Sequence, residues 1–205
     1  MEKSRKTNKL ILILLLVLII GLSIGFAAYG RELKITTAAT VKGDESGFKV
    51  VFSTEEDAAT PGTVSAANSY ANDISIDADS TELSNLKATF TAPGQTATWT
   101  FYSYNDGKFD AFLNGVVLGD ISATPKGGTD AEKVTEAVKG ISVKVKVGTT
   151  EFTTTQDPLS ATHKLAQSEG EEVVVTIDYA ADSAIADGDF DVTIGDISLK
   201  YNSVD

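Results

Sequence analysis

The chain of 205 residues predicts an all-β fold, an antiparallel β-sandwich with one short helix, preceded by a leader at residues 1–27. Three features predict it. Apolar and polar residues alternate strictly in many short runs, the period of a half-buried strand. Gly, Pro, Asn and Asp separate these runs at short intervals, as turns between antiparallel strands require. Only one stretch combines a helical cap with helical apolar spacing.

Taken in order, "ELKITTAATV" places Leu33, Ile35, Thr37, Ala39 and Val41 on one face. "GFKVVFS" offers Phe48, Val50 and Phe52, "NDISIDAD" offers Ile74 and Ile76, and "LKATFTAPG" offers Leu86, Ala88 and Phe90. "TATWTFYSY" sets Ala97, Trp99 and Phe101 against Thr98, Thr100, Tyr102 and Tyr104. The turn Asn105-Asp106-Gly107 follows, with Asp-Gly expected to supply a positive φ for a tight hairpin into "KFDAFL". "TDAEKVTEAVKG" has Thr129 and Glu132 at capping-box spacing, Ala131, Val134 and Val138 on one side, and a stop at Gly140. "ISVKVKVG" contributes Ile141, Val143, Val145 and Val147, "EFTTT" follows, and "EEVVVTIDY" contributes Val173, Val175, Ile177 and Tyr179. The chain closes with "FDVTIGDISLKY", while residues 55–72 read as a loop or short helix.

The leader has the order of a secretory signal. Lys3, Arg5, Lys6 and Lys9 precede an apolar run from Leu10, which thins into Gly21, Ser23 and Gly25. Gly25-Phe26-Ala27 offers the small side chains that a signal peptidase accepts, which places the cut between Ala27 and Ala28. The same run is long enough to span a bilayer, so an uncleaved anchor is the alternative. Both place residues 28–205, a single domain, outside the cytoplasm.

Residues 1–27 hold four of the 17 basic and one of the 29 acidic side chains, so 13 and 28 remain beyond them, a formal charge of −15. Such a surface repels nucleic acid and anionic lipid, which leaves the membrane as a partner only through the leader. The chain has no Cys, so no disulfide framework exists despite export.

Candidate chemistry is sparse, and the sequence predicts neither an enzyme nor a cofactor. His163, the only histidine, lies in "SATHKLAQ" and reads as a solvent-facing loop residue. No H-E-x-x-H pattern is present, and residues 28–205 contain no G-x-S-x-G elbow. Asp187, Asp189 and Asp191 alternate as calcium ligands do in an EF-hand, but Val192 and Ser198 stand where Gly and a bidentate Glu belong. A solvated acidic stripe on a strand accounts for them. Trp99 and Phe101 read as core rather than a sugar platform, while Tyr102 and Tyr104 are the better placed to touch a partner.

The leader ending near Ala27, an early strand, "GFKVVFS", "FTAPGQTATWTFYSYNDGKFDAFL", "LAQSEGEEVVVTIDY" and the terminal "DVTIGDISLKY" together resemble the TasA/camelysin family of secreted matrix proteins. Pro93-Gly94 and Asn105-Asp106-Gly107 fill the places of that family's strand break and turn. The resemblance implies a jelly-roll-like β-sandwich, release by the family's dedicated signal peptidase, and assembly into extracellular fibres of a biofilm matrix. Some members have been called metallopeptidases; no ligand set supports that role here.

Assembly also has a physical rationale. A sandwich leaves outer strands with unpaired backbone groups, to which an extended segment of another copy can add. Residues 28–41, freed by cleavage, form the candidate donor strand, with Leu33, Ile35, Thr37, Ala39 and Val41 as its inward face. Each large apolar side chain buried contributes about 1.5–3 kcal/mol, against about 1–2 kcal/mol per residue ordered. A head-to-tail contact need not close, so the expected product is an open homopolymer, with matrix or cell-surface proteins as further partners. The alternative is a membrane-anchored, surface-displayed binding domain that uses Tyr102, Tyr104 and the acidic stripe.

Overall fold

The alternating runs do form antiparallel strands. The computed structural model describes residues 30–35, 47–77, 81, 83–84, 86–160 and 163–203, with residues 30–35 and 84 described by backbone alone. The described strands are β1 (Gly30–Ile35), β2 (Val50–Ser53), β3 (Gly62–Val64), β4 (Ile74–Ile76), β5 (Leu83–Ser84), β6 (Lys87–Phe90), β7 (Thr96–Asn105), β8 (Ala111–Val117) and β9 (Ile121–Pro125). After the helix α1 (Ala131–Val138) come β10 (Ile141–Val147), β11 (Thr150–Phe152), β12 (His163–Leu165), β13 (Gly170–Tyr179), β14 (Phe190–Ile194) and β15 (Ile197–Asn202). Arg31–Asp205 forms one compact unit.

One layer is the five-stranded sheet β11-β10-β13-β7-β2. Its centre is the long ladder of β13 on β7, from Gly170↔Tyr104 to Asp178↔Thr96. Facing it are a four-stranded sheet, β1-β15-β8-β12, and a three-stranded sheet, β6-β14-β9. These two continue each other. Val117 pairs with Ser198 and Ile121 with Ile194, so one register runs through the break between β8–β9 and β14–β15. The Gly195 N–H donates to the Asp120 carbonyl at 2.8 Å inside that break. A small sheet, β3-β4-β5, completes the set.

Alternation explains the core. Phe48, Val50, Phe52, Ile74, Ile76, Leu86, Ala88, Phe90, Ala97, Trp99 and Phe101 are buried as the pattern predicts, as are the named residues of β10 and β13. Tyr179, Phe90 and Phe190 pack their rings together across the two layers, with Tyr179 to Phe190 at 5.5 Å and 80°. The Trp99 indole N–H donates to the Asn72 carbonyl at 2.7 Å, so the buried ring keeps its polar atom satisfied.

Several expectations need correction. The helix is capped by Asp130, whose carboxylate accepts the Glu132 N–H at 2.8 Å, so Thr129 and Glu132 form no capping box. Thr129 instead turns its hydroxyl to the carbonyls of Lys126 and Asp189. Val134 and Ala137 form the buried side of the helix, while Ala131 is exposed. Residues 55–72 contain β3 and no helix, because their small and polar residues carry no apolar stripe to bury.

Asn105-Asp106-Gly107 closes no hairpin, because β7 and β8 belong to different sheets, and the turn between them has no positive φ at Gly107. The Asn105 side chain closes it instead, accepting the Gly107 N–H and donating to the carbonyls of Phe109 and Leu165 at 2.8 and 3.1 Å. Glycine is required there for space, since a Cβ would come within 2.7 Å of the Lys49 nitrogen. Pro93-Gly94 does turn through a positive φ, +85° at Gly94, the backbone that Pro followed by Gly favours.

Candidate functional site

The outer strands are where this fold can meet another chain, and three borders are built differently. On the open side of β7, beyond the short β2, a loop covers the ladder: Ala67 N–H donates to the Thr98 carbonyl at 2.9 Å, and the Asn68 amide reaches Thr96. The far side of β8 is lined by residues 155–160 and by β12. Val116 and Gln156 exchange backbone hydrogen bonds at 2.8 Å, and Leu159 N–H donates to the Asn114 carbonyl at 2.6 Å. Pro158, Asp157 and Lys164 lie along this border, which blunts it against further strand addition.

At the other border of that sheet, β1 is hydrogen-bonded beside β15. Leu33 and Ile35 therefore belong to an outer strand. Thr37, Ala39 and Val41, together with the Ala27–Ala28 junction, lie outside the described residues. Fourteen residues, 36–49, separate β1 from β2. Beneath β1, β15 is mostly buried, with Ile197, Leu199 and Tyr201 in the core.

A polar contact between the layers was not legible in the sequence. Leu113 of β8 pairs with His163 on one side and Tyr201 on the other, forming one row of the upper sheet. Glu171 pairs with Ser103, and Ser103 with Phe52, forming a row of the lower sheet. The rows meet at two points. The Tyr201 and Ser103 hydroxyls lie 2.9 Å apart, and His163 Nε2 contacts Glu171 Oε1.

His163 is thus not a solvent-facing loop residue: it begins β12, and its side chain is 36 % exposed against 10 % for Glu171. Burial raises the Glu171 carboxyl above its ordinary value, with the His163 imidazole working in the opposite sense. The second carboxylate oxygen, Oε2, is buried without a hydrogen-bond partner among the described residues. Burial pushes the Tyr201 phenol up as well, with Ser103 opposing and Glu171 adding to the effect. Ser103 is fully buried, so this group offers no accessible nucleophile.

The remaining candidates separate in space. Tyr104 is buried at 8 % exposure, so it presents no surface to a partner; Tyr102 is half-buried. Alternation breaks at Ser103–Asn105 because the end of β7 is enclosed by β2 and by the turns at 105–110 and 166–169.

Asp187, Asp189 and Asp191 do not form one stripe. Asp187 sits in a turn at φ +54° and pairs with Lys133, Asp189 is exposed, and only Asp191 lies in a strand. Asp191 is held by Thr89 at 2.7 Å and by Lys87 and Lys126 at 2.5 and 3.3 Å. Burial acts upward on its carboxyl, but these hydrogen bonds outweigh it and hold the group below its ordinary value. Lysines thus occupy the positions a cation would take. No group of three or more His, Cys, Asp or Glu is arranged to hold a metal among the described residues.

Comparison with family models, curated proteins and solved structures returned no match.

Proposed function

We propose that this chain is a secreted structural subunit, with a jelly-roll-like β-sandwich, that builds fibres of an extracellular matrix by passing β1 from its own sheet to the same place in the next copy. The observation that carries this reading is the position of β1. It is an outer strand beside β15, and residues 36–46 separate it from Gly47, whose carbonyl accepts the Lys108 N–H, and from the buried Phe48. At up to about 3.3–3.6 Å per extended residue, such a linker reaches about 36–40 Å, the scale of a neighbouring domain.

Exchange of β1 between copies replaces each hydrogen bond of its own sheet by an identical one, the low-cost route of domain swapping. Two other borders favour this choice, because the loop at Ala67–Asn68 and the Pro158 segment cover the edges of β7 and β8. Cleavage after Ala27 would free β1 from the membrane and so permit exchange. The resemblance to the TasA/camelysin family points the same way.

Electron microscopy of purified protein beginning at Ala28 tests the proposal. Fibres that lengthen with time are the expected result, and protein lacking residues 28–41 should stay unassembled. Fibres of normal length from the shortened protein would refute strand exchange.

A further inference from the structure

We propose that Glu171 is a proton-operated latch on the outer strand β12: protonated, it rests between the layers and holds β12 against β8, and ionised, it favours the lifting of β12. Neither β1 nor assembly enters into this latch: Glu171 is an ionisable side chain placed where ionisation is poorly supported.

Among the described residues packed around the carboxyl, the group that favours its negative charge is His163 of β12, whose Nε2 contacts Oε1, and burial outweighs it. From β15 comes the Tyr201 phenol, and from β7 the Ser103 hydroxyl, which is engaged with Tyr201 and with the Glu171 carbonyl. The turn between β10 and β11 supplies Gly148, at φ +56°, where any Cβ would collide with the Glu171 carboxylate. Glycine at this position leaves the room in which the carboxyl lies.

The pair of Lys146 with Glu172 belongs to the adjacent residue and the opposite face of β13. Thus one carboxylate oxygen has the imidazole and the other is buried without a partner among the described residues. A buried polar atom in that state carries a desolvation cost that a lifted, hydrated one does not.

The direction of the pH effect follows. Burial raises the folded carboxyl above its ordinary 4.5. A raised acid makes the closed state bind more protons than the open one, so closure is fully favoured below pH 4.5 and weakens as pH climbs to the raised value. The other charged tie of β12, Lys164 to Asp110 at 2.6 Å, does not switch in that window, because the hydrogen bond from Lys164 holds the Asp110 carboxyl low. When β12 lifts, the backbone of β8 between Ala111 and Leu113 loses its partner and becomes an edge able to pair with an extended segment.

Amide hydrogen exchange of the full chain between pH 4 and pH 7, corrected for intrinsic rates and referenced to Val173–Ile177 of β13, reads the latch. Protection over β12 is expected to fall about tenfold for each unit by which closure raises the carboxyl. In Glu171→Gln, which keeps a polar group for His163 but has no charge, the fall should vanish and neutral-pH protection should rise. In His163→Gln, which removes the imidazole that opposes the effect of burial on Glu171, the fall should become larger.

A flat profile in the natural protein, or an undiminished fall in Glu171→Gln, would overturn the proposal. A carbon-13 NMR titration of the Glu171 carboxyl in the natural protein gives an independent check if a variant fails to fold. A value at or below 4.5 would overturn it equally.

Discussion

Gly119 and Gly195 meet backbone to backbone where β8 passes into β9 and β14 into β15, and a Cβ on Gly119 would overlap the Gly195 carbonyl group. This contact lets one ladder kink without losing register, so one pair of chain segments serves two sheets. Gly119→Ala must push the two segments apart. We expect a loss of about 1–3 kcal/mol in denaturant unfolding, with exchange protection reduced most around Val117, Ile121, Ile194 and Ser198. Unchanged stability would show that the kink does not depend on this approach.

Asn105 gives a sharper test of the turn that carries the chain from β7 in one sheet to β8 in the other. Its side chain bonds three backbone groups, at Gly107, Phe109 and Leu165, and the residue is fully buried. Asn105→Ala should cost at least about 2 kcal/mol, since buried carbonyls lose their donors. Asn105→Asp should cost more at neutral pH, because it loses the same two donors and also sets a buried negative charge against the carbonyls of Phe109 and Leu165. Stability of Asn105→Asp equal to that of the natural protein would contradict the donor roles.

Asp191 predicts an acid-sensitive tie among β6, β14 and the end of β9. Its folded carboxyl is depressed, so the stability it contributes is present above the unfolded value near 3.8 and is lost as pH falls through the folded one. Asp191→Asn should therefore destabilise by about 1–3 kcal/mol at pH 7, and the gap from the natural protein should narrow below pH 3.8. Thermal unfolding at a series of pH values measures this; a gap independent of pH would show that charge is not what holds Lys87 and Lys126.

Ser103 and Tyr201 should behave as one unit. Tyr201→Phe removes a hydroxyl that touches Ser103 across the layers, and Ser103→Ala leaves the Tyr201 phenol without that partner. Each should cost about 1–2 kcal/mol, with the double variant costing less than the sum. Strict additivity would show that the hydroxyls do not interact.

The strands that sequence revealed are those with one dry face. Ala97, Trp99 and Phe101, or Val173, Val175 and Ile177, alternate because their sheet is covered on one side only. Ile121–Pro125 escaped notice because its "ISATP" is half-exposed throughout and gains its strand form from β14. The 163–165 strand was hidden for a similar reason, having only Leu165 buried.

The site was less legible than the fold. Glu171 lies at the start of an alternating run, where an acidic residue ordinarily faces water, and nothing local tells that Gly148 leaves room for it inside. His163 and Glu171 are brought together by two different sheets, a relation no short pattern carries. Asp187, Asp189 and Asp191 misled in the opposite sense: their spacing suggests a shared face, but the left-handed turn at Asp187 breaks the strand before they can share it.

The central claim is that β1 sits on β15 of another copy in the assembled state. Fibres grown from an equal mixture of nitrogen-14 and nitrogen-15 protein, treated with a short amine cross-linker, report it through Lys34 of β1 and Lys200 of β15. Strand exchange predicts that about half of the Lys34–Lys200 products carry mixed isotopes; products carrying only one isotope would contradict the account.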